Sequence, residues 1–101
     1  MFVYLIQNLE TSNYKIGVSK NPNKRLKQLQ TASGEELKLV ATFETTNARK
    51  VESALHNQYS SHKTQGEWFN ISLVEEVGFN EICSKIDENI NYLRNNGNIF
   101  I

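Results

Sequence analysis

The chain has too little of several things to be several kinds of protein. It holds one cysteine, Cys83, so no disulfide can close within it and a reducing compartment is expected. No apolar run nears the roughly 20 residues that span a bilayer, and the start lacks a signal-peptide pattern. A soluble, intracellular (cytoplasmic), non-secreted protein without membrane contact is the expectation. Net charge is also missing: 11 Lys/Arg balance 11 Asp/Glu, which at first argues against a nucleic-acid binder. Repeats, linkers and low-complexity segments are absent too. A length of 101 residues suits one domain and not two, with a modest core that demands neither disulfide nor structural metal.

What is present is charge that has been sorted. Residues 1–66 carry nine Lys/Arg and five Asp/Glu, whereas residues 67–101 carry two and six. Between Ser12 and Gly34 stand Lys15, Lys20, Lys24, Arg25 and Lys27, with no acidic residue among them. Such a face attracts phosphate while the whole molecule stays neutral. An ordinary solvated helix surface would carry the same composition.

Residues 2–7 are β-rich and bounded by the polar stretch Asn8 to Asn13, which predicts a strand and a hairpin loop. Residues 14–19 alternate: Tyr14, Ile16 and Val18 point one way, and Lys15, Gly17 and Ser19 the other. Asn21-Pro22 predicts a helix start, with Leu26 and Leu29 on its apolar side and Ser33-Gly34 at its end. A third strand is expected over residues 37–45. A second helix, capped by Asn47, runs to about Ser60 with Val51, Ala54, Leu55 and Tyr59 inward. Glu67 to Ile71 is short, aromatic and extended, with Trp68 in the core and His62 in a loop. Ser72 with Glu75 forms a capping-box pattern. Beyond Gly78, a possible break, Phe79, Ile82, Cys83, Ile86, Ile90 and Leu93 make an amphipathic stripe, with Cys83 a small core residue. The order implies an α/β (α+β) domain: a small, mainly antiparallel three-stranded sheet flanked by helices. Residues 1–72 form its core, and residues 73–101 a C-terminal amphipathic helical extension packed on the same domain or on a second copy.

Four side chains suit phosphodiester hydrolysis, which needs an activated water, a cation for developing charge and a steadied leaving oxygen. Glu52, between inward Val51 and Leu55, is a hard-oxygen ligand suited to magnesium. Arg25 offers a planar fork for phosphate. Tyr4 can orient or deprotonate water if a cation stands nearby, and Lys15 can be that cation or hold the phosphate. Each has a plainer reading: an exposed glutamate, a surface arginine, a core aromatic, a solvated lysine. His56, one turn after Glu52, can face the same site or simply line the helix edge.

Phe2-Val3-Tyr4, Tyr14-Lys15-Ile16-Gly17, Arg25 and Glu52, together with Gly66-Glu67-Trp68-Phe69, resemble the GIY-YIG nuclease superfamily. The resemblance is to its small branch typified by a phage T5 open reading frame, and it spans roughly residues 2–72. It implies a divalent-metal-dependent endonuclease acting on DNA, including branched or single-stranded DNA, with Mg2+ or Mn2+ on Glu52. Tyr4, Lys15, Arg25 and Glu52 become catalytic; Lys20, Lys24, Lys27, His56 and Asn70 contact nucleic acid. The chain departs from the pattern at Phe2, where glycine is usual, at Lys15, where tyrosine is usual, and at Leu29, where some members carry histidine. Those departures leave room for a catalytically silent nucleic-acid- or protein-binding module on the same fold. A domain this small would also call on a homodimer or a targeting partner.

Overall fold

Phe2–Asn8 forms β1, a strand whose two faces are both covered by other parts of the chain. The computed structural model describes residues 1–64, 68–71 and 76–96. After β1 come β2 (Tyr14–Ser19), α1 (Pro22–Ser33), β3 (Leu37–Glu44), α2 (Ala48–Gln58), a 3-10 turn (Ser60–His62), β4 (Trp68–Phe69) and α3 (Phe79–Asn95). Among the described residues the sheet has four strands in the order β3-β1-β2-β4, all antiparallel. The α+β architecture matches the sequence reading. The short aromatic stretch turns out to be a fourth strand, pairing Phe69 with Tyr14 and Trp68 with Lys15.

Local chemistry explains most boundaries. In the β1–β2 loop, the Asn8 side chain accepts from the backbone N–H groups of Glu10 and Thr11 and donates to Glu35 at 2.6 Å. This replaces main-chain partners that the turn cannot supply. Asn21 caps α1 by accepting from the Lys24 N–H at 3.1 Å, with Pro22 in the first helical position. Gly34 ends that helix at φ +70°, in the left-handed region, donating back to the Gln30 carbonyl.

The core divides along β1. Val3 and Leu5 pack with Tyr14, Ile16, Val51, Leu55 and Phe79 on the side covered by α2 and α3. Tyr4 and Ile6 pack with Leu37, and Leu26 and Leu29 of α1 close over them. A strand covered on both faces has no solvent side to mark with polar residues, so Phe2 to Ile6 reads as an unbroken apolar run. On α3, Cys83 is fully buried beside Phe79, and Ile82 and Ile86 pack against the same cluster. Burial, with the charge of Asp87 second, pushes the Cys83 thiol up to about 12.

Asn47 departs from its expected task. It stands at the N-terminal boundary of α2, but its side chain makes no capping bond. Instead its amide donates to Asp87 at 2.7 Å and Asn91 at 2.9 Å, and its oxygen accepts from Arg94 at 2.8 Å. Thr45 joins by donating to Asp87 at 2.6 Å and accepting the Asn47 N–H. Three α3 side chains one turn apart thus outcompete a single backbone N–H for this amide. The Ser72–Glu75 capping box and Gly66-Glu67 lie outside the described residues. Gly78, expected as a break, is one: it is a turn residue between helical Glu76-Val77 and α3, at whose N-cap it stands.

Candidate functional site

Register decides which side chains can meet. In β1 and β2, Tyr4 stands opposite Gly17 and Ile6 opposite Lys15. Directly opposed residues of an antiparallel pair share a face. Tyr4, Lys15 and Gly17 therefore lie on the α1 side, while Tyr14, Ile16 and Val18 belong to the α2/α3 side, as alternation predicts. A Cβ at position 17 would run into the hydroxyl and ring of Tyr4. The phenol lies across the bare glycine backbone and is only 2% exposed, so it is held in place from below by β2 and from above by α1.

Tyr14 serves elsewhere. On the opposite face, burial first, and then a hydrogen bond to Glu76 and that carboxylate's charge, raise its phenol above the ordinary value of 10.0. It takes no part in the group around Tyr4.

The N-terminal turns of α1 form the wall of a concavity of about 270 Å3 lined by Ser19, Lys20, Asn21, Lys24, Arg25 and Gln28. Three of these are cations and none is acidic. Ser19 is the next position after Gly17 on the same face of β2, so the concavity opens about 7 Å along the strand from the Tyr4–Gly17 contact. The helix terminus adds partial positive charge there. Arg25, Lys20 and Lys24 are all exposed. Lys27, also exposed, stands about 200° around the helix from Arg25 and does not line this concavity. Sequence reasoning missed Ser19 and Gln28. Ser19 was signalled by sharing the face of Lys15 and Gly17, and Gln28 by its spacing one turn from Lys24 and Arg25.

At the other end of the same face, Lys15 is half-buried and its Nζ lies 5.8 Å from the centre of the Trp68 ring. Such a contact is worth about 0.5–1 kcal/mol near solvent. Trp68 itself is half-buried rather than enclosed, packing one side against the Tyr4, Ile6 and Leu37 cluster. Asn70, just beyond, is exposed and donates its backbone N–H to the His62 carbonyl at 2.8 Å.

Glu52 and His56 approach from α2, whose Val51 and Leu55 fill the far side of the sheet. Glu52 is half-exposed. One turn later the His56 Nε2 lies 3.0 Å from the Ile16 carbonyl oxygen, and its ring meets Phe69 edge-on at 5.1 Å. A carbonyl only accepts, so Nε2 is the donor of this contact. The structure thus gathers Tyr4, Lys15, Gly17 and Arg25 around one face. Glu52 stands on a separate helix, connected to β2 through the histidine one turn away. Among the described residues no group of three or more His, Cys, Asp and Glu side chains clusters. Glu52 suits a hydrated magnesium, which takes one or two carboxylates and keeps its waters, better than an all-protein cage.

No helix among the described residues is long and apolar enough to cross a membrane. No solved structure matches the chain significantly. A viral protein named for a KilA-N domain, 315L of Invertebrate iridescent virus 6, is 28% identical over 106 residues, covering 99% of this chain. The chain spans 45% of that relative's length. The T5orf172 domain profile matches residues 1–87, a stretch that takes in β1 through the first half of α3, and the chain therefore belongs to the T5orf172 domain family.

Proposed function

We propose that this chain is a nucleic-acid-binding domain that engages backbone phosphates across the α1 face of its sheet. The observation that carries the reading is the acid-free concavity in which Lys20, Lys24 and Arg25 converge at the start of α1. Phosphate contacts of this kind dominate affinity for nucleic acid and need no overall positive charge. Lys15, farther along the same face, extends the cationic track.

A second reading, a divalent-metal-dependent endonuclease, is favoured by Arg25 and Glu52 both remaining open to solvent. The register of Tyr4, Gly17, Arg25 and Glu52 also resembles GIY-YIG nucleases. Glu52 would hold magnesium or manganese, an ion that supplies Lewis-acid stabilisation of phosphate charge when bound. Arg25 would hold the scissile phosphate through its fork of donors. Tyr4, buried against Gly17, would have to act through its hydroxyl edge alone. A further domain or a second copy would supply contacts beyond this small face.

Binding is tested by titrating labelled single-stranded, duplex and branched DNA at graded salt. The expected result is salt-sensitive binding weakened by a Lys24→Ala/Arg25→Ala variant; absence of binding at low salt would overturn the reading. Cleavage is tested on the same DNAs with magnesium, manganese or chelator, beside Glu52→Ala. Metal-dependent cutting lost in that variant establishes the enzyme. Binding without cutting leaves the silent module.

A further inference from the structure

We propose that Trp68 is a stacking platform for an unpaired nucleobase, so that the ligand of the α1 face is nucleic acid with a single-stranded segment. The inference rests on the nucleic-acid reading above and adds what kind of nucleic acid is taken.

The indole is placed as a platform must be. Its backbone is fixed from two sides. Trp68 pairs with Lys15 of β2, and its carbonyl accepts from the Thr64 N–H at 2.9 Å and the Thr64 hydroxyl at 3.3 Å. The next residue, Phe69, is 1% exposed and anchors the strand in the opposite cluster. Trp68 itself packs against the Tyr4, Ile6 and Leu37 cluster, yet it is not enclosed.

On the Lys15 side its surroundings match single-strand recognition, in which cations track the backbone and an aromatic ring takes a base; Trp68 also lines a small cleft with Asn8, Thr11, Asn13 and Glu35. Lys15 stands against the ring. Ser19, at the mouth of the cationic concavity, lies four residues farther along β2 on the same face. That separation is about 13 Å, the length of a few nucleotides. A base stacked on Trp68 would therefore be joined by its own backbone to phosphates held by Lys20, Lys24 and Arg25. A continuous duplex keeps its bases stacked on one another and offers no ring face to the indole.

Trp68 is the sole tryptophan of the chain, so intrinsic emission reports on this position directly. The protein is titrated with a 12-nucleotide oligo-dT, an oligo-U of equal length and a blunt duplex, following both emission and binding by anisotropy. Quenching by a single strand, with affinity about tenfold above that for duplex, is expected; the two strands together tell which sugar backbone is accepted. Trp68→Ala should cost about tenfold on the single strand and remove its advantage over the duplex, while Trp68→Phe keeps most of the single-strand affinity. Should Trp68→Ala fail to fold, the emission of the parent and the behaviour of Trp68→Phe still decide. Equal binding of strand and duplex with no change in emission would overturn the platform and leave the binding domain standing. Failure to bind any of the three would overturn both.

Discussion

The phenol of Tyr4 lies across Gly17 so closely that no side chain could occupy position 17 without displacing it. The two residues are cross-strand partners at the centre of the α1 face, and everything proposed for that face depends on their packing. Gly17→Ala should destabilise the fold by about 1–3 kcal/mol, the usual cost of overfilling a packed site. Urea denaturation measures it. In a Tyr4→Leu background the same change should cost much less, since the ring it strikes is gone. An equal cost in both backgrounds would mean that the strain lies elsewhere.

The cations of α1 are separable by position. Arg25→Ala and Lys24→Ala should each flatten the dependence of log K on log salt by about 0.7 for a single strand. Lys27→Ala, on the other side of the helix and outside the concavity, should change the slope little. A salt titration of the three variants checks the ordering. Equal effects from all three would point to diffuse charge rather than a defined track.

Asn47 gives a stability prediction independent of binding. Its side chain satisfies Asp87, Asn91 and Arg94 at once. Asn47→Ala should cost about 2–3 kcal/mol, because the partners left behind lose bonds that cost about 1 kcal/mol each or more. Asn47→Asp keeps an acceptor for Arg94 but places a charge against Asp87, and should not restore the loss. Thermal unfolding of the two variants distinguishes a bonding role from simple helix capping.

Alkaline pH tests Cys83. Its thiol rises in the folded state from 9.0 to about 12, chiefly through burial. Between those values the unfolded chain loses a proton that the folded one keeps, so stability is fully present below about pH 9 and falls as pH rises toward 12. Tyr14, raised above 10.0, adds a loss of the same sign. Cys83→Ala should flatten the first part of that decline in denaturant curves taken at pH 8 to 11. Below pH 9, alkylation of the buried thiol should require opening of the fold and, while reclosing outpaces the reagent, follow the population of the open chain.

How far the sequence discloses this arrangement follows from the range of the interactions. Asn21-Pro22 and Gly34 announce α1 because a cap, a fixed φ and a left-handed end are chemistry within a few residues. Alternation along Tyr14 to Ser19 is equally local, and it assigns Lys15 and Gly17 to one face correctly. Asn47 could not be read the same way. Its partners stand 40 to 47 positions away and are brought close only by α3 packing. The partial exposure of Trp68 was equally hidden, since an aromatic residue beside Phe69 reads as core until the fold shows it half-buried. His56 gave only its spacing from Glu52; the strand carbonyl that receives it has no signature in sequence.

That last contact has an evolutionary consequence. His56 meets the oxygen of the Ile16 peptide, not a side chain of β2, and every residue type presents the same oxygen. Val51 and Leu55 still need Tyr14 and Ile16 to pack against, but the hydrogen bond that ties α2 to the strand is insensitive to the side chains on the strand's other face. Position 15 can exchange lysine for another residue, changing the charge of the α1 face, while the histidine contact of the helix that bears Glu52 is kept.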